Sequence, residues 1–366
     1  MTTSAASPSP TISTNLLAWY DHHARALPWR APPGAPPPDP YAVWLSEIML
    51  QQTTVAAVKP YFAAFLKRWP TVDDLAAAPE ADIMAAWAGL GYYSRARNLV
   101  KTARLVAVAG AFPRTEAVLR ALPGLGAYTA AAIAAIAFGQ RAVVVDANVE
   151  RVVSRLFAID QPLPKAREAI RGKTDTITPG TRAGDFAQAM MDLGATICTS
   201  RSPRCLLCPV QAHCNGRRDG DPERYPVKAP KRAKPVRRGH AYWYERGGQI
   251  WLVTRPAKGV FAGMRALPGD GWNARKDGAG SKIDSWTDCG TVRHVFTHFS
   301  LELIVLRAPE PAEPPGRGEW WPLADIAAAG LPTLFVKAAR LAMTPQSLTY
   351  QSRTNQSRTG QSRMGD

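Results

Sequence analysis

The sequence predicts a two-domain α+β protein: an all-helical first domain and a smaller α+β second domain. Three observations carry this. Over residues 16–212, Ala-rich amphipathic stretches alternate with short Pro/Gly breaks, as at Ala78-Pro79, 110–113 and 162–164. Across residues 224–240 the composition changes: seven of the seventeen residues are Lys or Arg, three are Pro and none is acidic. That is a stiff basic linker, laid along a polyanion or simply solvated. Beyond it hydrophobicity alternates with period two, in Ala241-Tyr242-Trp243-Tyr244 and Gln249-Ile250-Trp251-Leu252-Val253. Gly247-Gly248 between these runs signals a hairpin.

In chain order, residues 1–14 are Ser/Thr/Pro-rich and read as a disordered leader; no basic segment precedes an apolar one, so a signal peptide is not expected. Asp39-Pro40 starts a helix, since Asp caps well and Pro suits the first turn. Glu47 falls inside the apolar run 43–50, either as a buried functional group or as part of an exposed stripe. Residues 122–130 read Leu-Pro-Gly-Leu-Gly-Ala-Tyr-Thr-Ala. Gly124 and Gly126 allow a tight turn before a helix starting near Ala127, so backbone N–H groups and the positive helix end together suit a phosphate. The same glycines would also serve a plain helix–helix turn. Eighteen residues after Tyr128, Asp146 follows three valines; it caps a helix, serves chemistry, or does both.

The second domain is expected to continue with a strand over residues 299–306 and to close with a helix over 334–343. A low-complexity tail, with Gln-Ser-Arg at 351, 356 and 361, reads as disordered. The predicted divisions are 1–14, a helical domain 15–223, a linker 224–239, an α+β domain 240–344 and a tail 345–366.

The net charge of +16 favours a polyanionic partner. No apolar run reaches the roughly 20 residues of a membrane span, so no membrane partner is expected. Four of the five cysteines, Cys198, Cys205, Cys208 and Cys214, lie within seventeen residues. Such clustering points to a metal site rather than a disulfide framework, and to a reducing cytoplasm. The spacing C-x6-C-x2-C-x5-C holds one compact cofactor, with tetrahedral zinc as the alternative to an iron–sulfur cluster; zinc sites usually pair two C-x2-C knuckles, and only one such pair is present. Arg201 and Arg204 sit inside this loop and could reach phosphate. Cys289 stands alone as a small apolar residue.

This cysteine spacing resembles the single 4Fe-4S loop of the endonuclease III superfamily of helix-hairpin-helix DNA glycosylases. Within it, the segments Trp44-Leu-Ser-Glu-Ile-Met-Leu-Gln-Gln-Thr-Thr-Val, Leu27-Pro-Trp-Arg, Gly89-Leu-Gly-Tyr-Tyr-Ser-Arg-Ala-Arg-Asn and Met190-Met-Asp-Leu-Gly-Ala-Thr-Ile-Cys are very similar to the MutY branch, the adenine glycosylases. The resemblance implies one 4Fe-4S cluster on the four cysteines and hydrolysis of the N-glycosidic bond of adenine opposite 8-oxoguanine or guanine in double-stranded DNA, by a monomer at the bacterial nucleoid. Lysine stands at the position of Tyr128 in members that also cleave the strand; a phenol cannot form their Schiff base, so a monofunctional enzyme is implied. Glu47 matches the general acid, Asp146 the carboxylate facing the sugar cation, and Tyr128 and Asn148 the groups that orient them. Gln188, Arg25 and Arg30 match the base pocket. Gln52, Thr53, Leu90 and Tyr92 match the duplex-probing segments, with Leu90 and Tyr92 expected on an exposed loop between glycines rather than in the core. Gly124 and Gly126 match the hairpin. Ala147 stands where glycine usually follows the aspartate, and the linker has no cysteines, so zinc is not expected there.

The second domain is expected to resemble the MutT/Nudix fold without its hydrolysis, because residues 240–344 contain no adjacent Glu-Glu pair and no Glu-rich metal helix. Phe296-Thr297-His298 matches the 8-oxoguanine recognition loop, with Thr297 in place of serine. The competing readings are a glycosylase/lyase for oxidised pyrimidines, opposed by Tyr128 and the second domain; an inactive iron–sulfur DNA-binding protein, opposed by the presence of both Glu47 and Asp146; and a Nudix phosphohydrolase, opposed by the missing box.

Overall fold

The computed structural model describes residues 11–229, 233–256, 258–280, 285–309 and 313–344, in two compact units that divide after Arg232. Residues 1–10 of the expected leader and the whole expected tail lie outside the described residues.

The first unit is helical: α1 (Ile12–His23), α2 (Pro40–Leu50), α3 (Val55–Arg68), α4 (Val72–Ala77), α5 (Glu80–Ala86), α6 (Ser94–Ala109), α7 (Glu116–Leu119), α8 (Ala127–Phe138), α9 (Ala147–Leu156), α10 (Arg167–Ile177), α11 (Ala183–Thr196) and α12 (Asn215–Arg218). The leader was expected to run to residue 14, but α1 already begins at Ile12. Thr11 caps it, accepting from the Thr14 N–H, and Leu16 and Tyr20 pin the helix to the core. Asp39 caps α2 by accepting from the Tyr41 N–H at 2.7 Å, with Pro40 in the first turn. From Val43 to Met49 every residue of α2 is buried, so Glu47 lies on no exposed stripe. The alanines of α8 let its neighbours approach closely. At Gly184 of α11 an added Cβ would lie 2.5 Å from the Ala135 carbonyl oxygen, so that contact requires glycine.

The second unit contains β1 (Val236–Trp243), β2 (Glu245–Arg246), β3 (Gln249–Thr254), β4 (Arg265–Ala266), β5 (Thr287–Val295), β6 (Ser300–Arg307), β7 (Glu319–Pro322) and α13 (Thr333–Met343). One sheet has the order β1-β6-β5, with β1 and β6 parallel; the other has β2-β3-β4, with β7 also paired to β3. Helix α13 packs on β5 and β6, where Leu334, Phe335 and Ala338 complete the core.

Two expectations need correction here. The basic stretch does not stay irregular to residue 239: β1 starts at Val236, because Gly239, Ala241 and Trp243 face a core and pair alongside β6. The Gly247-Gly248 hairpin does form, but its first arm is only β2 with Tyr244, whose carbonyl accepts from the Trp251 N–H at 3.0 Å. The run 241–243 belongs to the other sheet, so the chain changes sheets at Tyr244. Alternation reported strand character and could not report the partner.

Candidate active site

A cavity of about 950 Å³ opens in the helical unit, lined by Glu47, Tyr128, Asp146, Asn148, Gln188, Arg25 and Arg30 among others. Each comes from an element whose local sequence places it. Glu47, only 6 % exposed, projects from the buried middle of α2. Tyr128, in the first turn of α8, donates its hydroxyl to Glu47 Oε2 at 2.7 Å. Burial pushes the Glu47 carboxyl up to about 7; the Tyr128 hydrogen bond opposes this, the Asp146 charge adds to it, and Arg30 lowers it. Burial and the neighbouring carboxylates push the Tyr128 phenol well above its ordinary value, so it stays a neutral donor.

Asp146 is the N-cap of α9. Its Oδ1 accepts from the Val149 N–H at 2.7 Å and its Oδ2 from Asn148 Nδ2 at 2.9 Å. Capping therefore aims this carboxylate rather than competing with other uses. Asn148 is held in turn by Arg151, whose Nη2 donates to Asn148 Oδ1 at 2.9 Å and to the Gly194 carbonyl at 2.6 Å. Arg151 Nε reaches the Cys198 carbonyl at 2.8 Å, and buried Arg155, one turn on, donates to Cys198 Sγ at 3.3 Å. A continuous hydrogen-bonded path thus joins Asp146 to the first residue of the cysteine loop. The sequence reading missed both arginines; their i, i+4 spacing on α9 after Asp146 was the available signal.

Gln188 on α11 is buried. Its Nε2 donates to the Gly184 carbonyl at 3.3 Å, which fixes the amide's orientation, and its Oε1 has no partner among the described residues. Arg25 and Arg30 line the cavity, but their guanidinium groups are engaged by Asp192, at 2.6 and 2.8 Å. Asp192, one helical turn after Gln188 and fully buried, was not foreseen as part of the site.

At the cavity mouth Gln52 is exposed with a left-handed φ of 59°, and Thr53 lies beside it. Leu90 corrects the expectation of two exposed probe residues. It is only 6 % exposed and packs in the core, whereas Tyr92 is 51 % exposed. Gly89, Gly91 and Tyr92 all take positive φ, and this sharp course turns Leu90 inward and Tyr92 outward. In the hairpin, Gly124 has φ 79° and sits against Asn98, where an added Cβ would clash at 2.8 Å. Gly126 is extended, precedes α8 and has open space where a Cβ would project. In the second unit Thr297 and His298 are exposed on the turn between β5 and β6. The turn is closed by the Phe296 N–H on the Phe299 carbonyl at 2.8 Å and by the stacked Phe296 and Phe299 rings.

The four clustered cysteines line one small cavity, together with Arg155 and Arg217. Among the described residues, no three Cys, His, Asp or Glu side chains stand close enough to share a single ion. Four thiols around one small space are a donor set suited to a thiolate-bound metal or cluster. Arg204, one of the two arginines that could reach phosphate, donates instead to the Thr196 carbonyl at the end of α11. No helix among the described residues is long and apolar enough to cross a membrane.

Residues 45–174, which carry Glu47, Tyr128 and Asp146, match the HhH-GPD superfamily base excision DNA repair proteins. Residues 240–341 match the NUDIX domain. A thermostable thymine-DNA glycosylase structure is similar, with TM-score 0.51 and 31% identity over 57% of this chain and 95% of that one. The human adenine DNA glycosylase is 34% identical, covering 89% of this chain and 73% of that protein. The adenine DNA glycosylase of Buchnera aphidicola subsp. Baizongia pistaciae is 30% identical, covering 88% and 94%. The chain belongs to the adenine DNA glycosylase family.

Proposed function

We propose that this protein is a monofunctional glycosylase that hydrolyses the N-glycosidic bond of adenine mispaired with 8-oxoguanine or guanine in duplex DNA. The observation that carries the reading is Glu47: a buried carboxyl pushed up to about 7, hydrogen-bonded to Tyr128 and sharing a cavity with helix-capped Asp146. Adenine leaves poorly as an anion. A carboxyl that still holds its proton near neutrality donates it to N7 of the flipped base, and the bond from N9 to the sugar then breaks with its electron pair on the base. Positive charge develops on the sugar and is met by Asp146. Water adds at C1′ and gives its proton to the Glu47 carboxylate, which restores the acid and leaves an abasic site. Tyr128 has no amine to attack the sugar, so the strand stays intact.

Adenine as the base is supported by Gln188. Its unpartnered buried Oε1 is an acceptor suited to the N6 amino group, and a cavity of about 950 Å³ accommodates an extruded nucleotide. Arg25 and Arg30, fixed by Asp192, serve as rigid cavity walls. Gly124 and Gly126 grip a phosphate, while Gln52, Thr53 and Tyr92 probe the duplex. The Thr297–His298 turn is proposed to read 8-oxoguanine, with the NUDIX-like unit retained for recognition rather than pyrophosphate chemistry. Cys198, Cys205, Cys208 and Cys214 would hold one 4Fe-4S cluster, which supplies a fixed shape for the loop that follows α11.

Single-turnover cleavage of duplexes carrying adenine opposite 8-oxoguanine, guanine and thymine tests the assignment. The first should be cut fastest and the last hardly at all. Equal rates on all three would overturn the substrate, and efficient borohydride trapping of enzyme on DNA would overturn the monofunctional mechanism.

A further inference from the structure

Arg95, on α6, is 9 % exposed, and its charge is met by carbonyl dipoles. Nη1 donates to the carbonyls of Ile48 at 2.8 Å and Met49 at 3.2 Å, the two residues directly after Glu47 in the last turn of α2. Nη2 donates to the Leu90 carbonyl at 3.2 Å and lies 3.4 Å from both the Gly91 carbonyl and Thr53 Oγ1. The guanidinium carbon is 5.4 Å from the ring centres of both Trp87 and Tyr92. One planar group therefore touches the helix that carries Glu47, the segment after it, and the exposed ring of Tyr92. Within the loop it holds, Tyr92 takes a left-handed φ of 49°, an uncommon conformation for a residue with a side chain.

Building on the function proposed above, we infer that Arg95 is a positioning residue that couples the seating of Tyr92 in the duplex to the placement of Glu47 against the flipped base. Displacement of residues 89–92 is passed through the guanidinium to the carbonyls of residues 48 and 49, and hence to the α2 backbone that carries Glu47. Only a rigid fork with several in-plane donors can bind both sets of carbonyls at once; a lysine ammonium on a flexible stem cannot. The fit of the opposite strand and the aim of the acid are then one geometric event.

The test uses the full chain and Arg95→Lys. On adenine opposite 8-oxoguanine, the single-turnover rate per titrated active site should fall about 10²-fold, the cost of misplacing a reacting group by about an ångström. Affinity for a duplex carrying a non-cleavable 2′-fluoro-2′-deoxyadenosine should change far less. In combination with Tyr92→Ala the losses should not multiply, because both variants break the same link. A wild-type rate per active site, or fully multiplicative losses, overturns the inference. Trp87→Phe removes the indole donor to the Gly91 carbonyl, at 3.1 Å, along with part of a buried ring, and leaves a six-membered ring beside Arg95. It should lose rate several-fold, again without multiplying with Tyr92→Ala, and it decides the matter should Arg95→Lys fail to fold. Amide exchange adds a readout independent of cleavage: binding of the fluorinated duplex should protect residues 48–52 in the wild type and not in Arg95→Lys. Equal protection in both proteins counts against the coupling even if adenine proves the wrong base, whereas failure of the wild type to cleave counts only against the function.

Discussion

Glu47 and Asp146 share one cavity but sit in opposite surroundings. Glu47 stands in the middle of a helix, among apolar neighbours, with the Tyr128 phenol as its donor. Asp146 stands at the start of a helix, with a backbone N–H and an amide directed at it and the positive helix end behind it. Burial in the first environment favours the neutral acid, while the second holds its carboxylate in place by two directed donors. In the function proposed above, two side chains that differ by one methylene are divided into proton donor and cation stabiliser by these surroundings.

Exchanging the chemistry of either group is the strongest way to break this comparison. Glu47→Gln keeps an oxygen for the Tyr128 hydroxyl but has no proton to give. Single-turnover excision should fall by about 10²–10⁴-fold, while affinity for mispaired duplex persists. Asp146→Asn keeps the cap partly satisfied and removes the charge, and should cost about 10²–10³-fold. Rates within threefold of wild type for either variant would contradict the assigned division.

Asn148→Ala comes next in size. It deletes one of the two donors that aim Asp146 and releases Arg151 from one partner, so a loss of about tenfold is expected with the alkaline limb of the pH profile unmoved, because Glu47 is untouched. A shift of that limb would mean that Asn148 acts on the acid instead.

The two carboxylates differ in how legible they were. Asp146 announced itself through the cap pattern, three valines followed by Asp, and α2 through Asp39-Pro40. Glu47 could not be separated from a surface stripe by sequence periodicity, because α2 is apolar all round; its burial comes from helices that pack on every side. Leu90 went wrong for a related reason. Flanking glycines report a sharp turn, but not which of the turn's side chains points inward. The second unit shows the same limit at a larger scale: each strand run was visible, whereas the parallel pairing of β1 with β6 depends on contacts more than fifty residues apart. Asp192, Arg95, Arg151 and Arg155 were missed because charged residues in helices usually face water.

Stability against pH offers a gentler probe of the Glu47 environment. Its folded carboxyl titrates near 7 against an ordinary 4.5, so the folded state holds an extra proton between those values. Stability therefore falls as pH rises through this window. Glu47→Gln has no such proton and should gain on the wild type by about 3 kcal/mol between pH 4.5 and pH 8. Chemical denaturation of both proteins across that range measures the gap. A constant gap would mean that the carboxyl ionises freely in the folded state.

Tyr128→Phe should have the smallest effect and bears most directly on how the acid is tuned. The phenol donates to Glu47 and so lowers a pKa that burial raises. Removing the hydroxyl leaves the ring in place and takes away only that opposing contribution, so the Glu47 carboxyl should keep its proton to higher pH. As a general acid, Glu47 works in its protonated form, so the rate is highest below its pKa and declines above it. The wild-type profile should turn down near pH 7, and the variant's downturn should move upward while its rate at pH 6 falls only a few-fold from looser aim. A downward move would mean that Tyr128 stabilises the protonated acid, which would make the phenol a partner in the proton transfer rather than a brake on it.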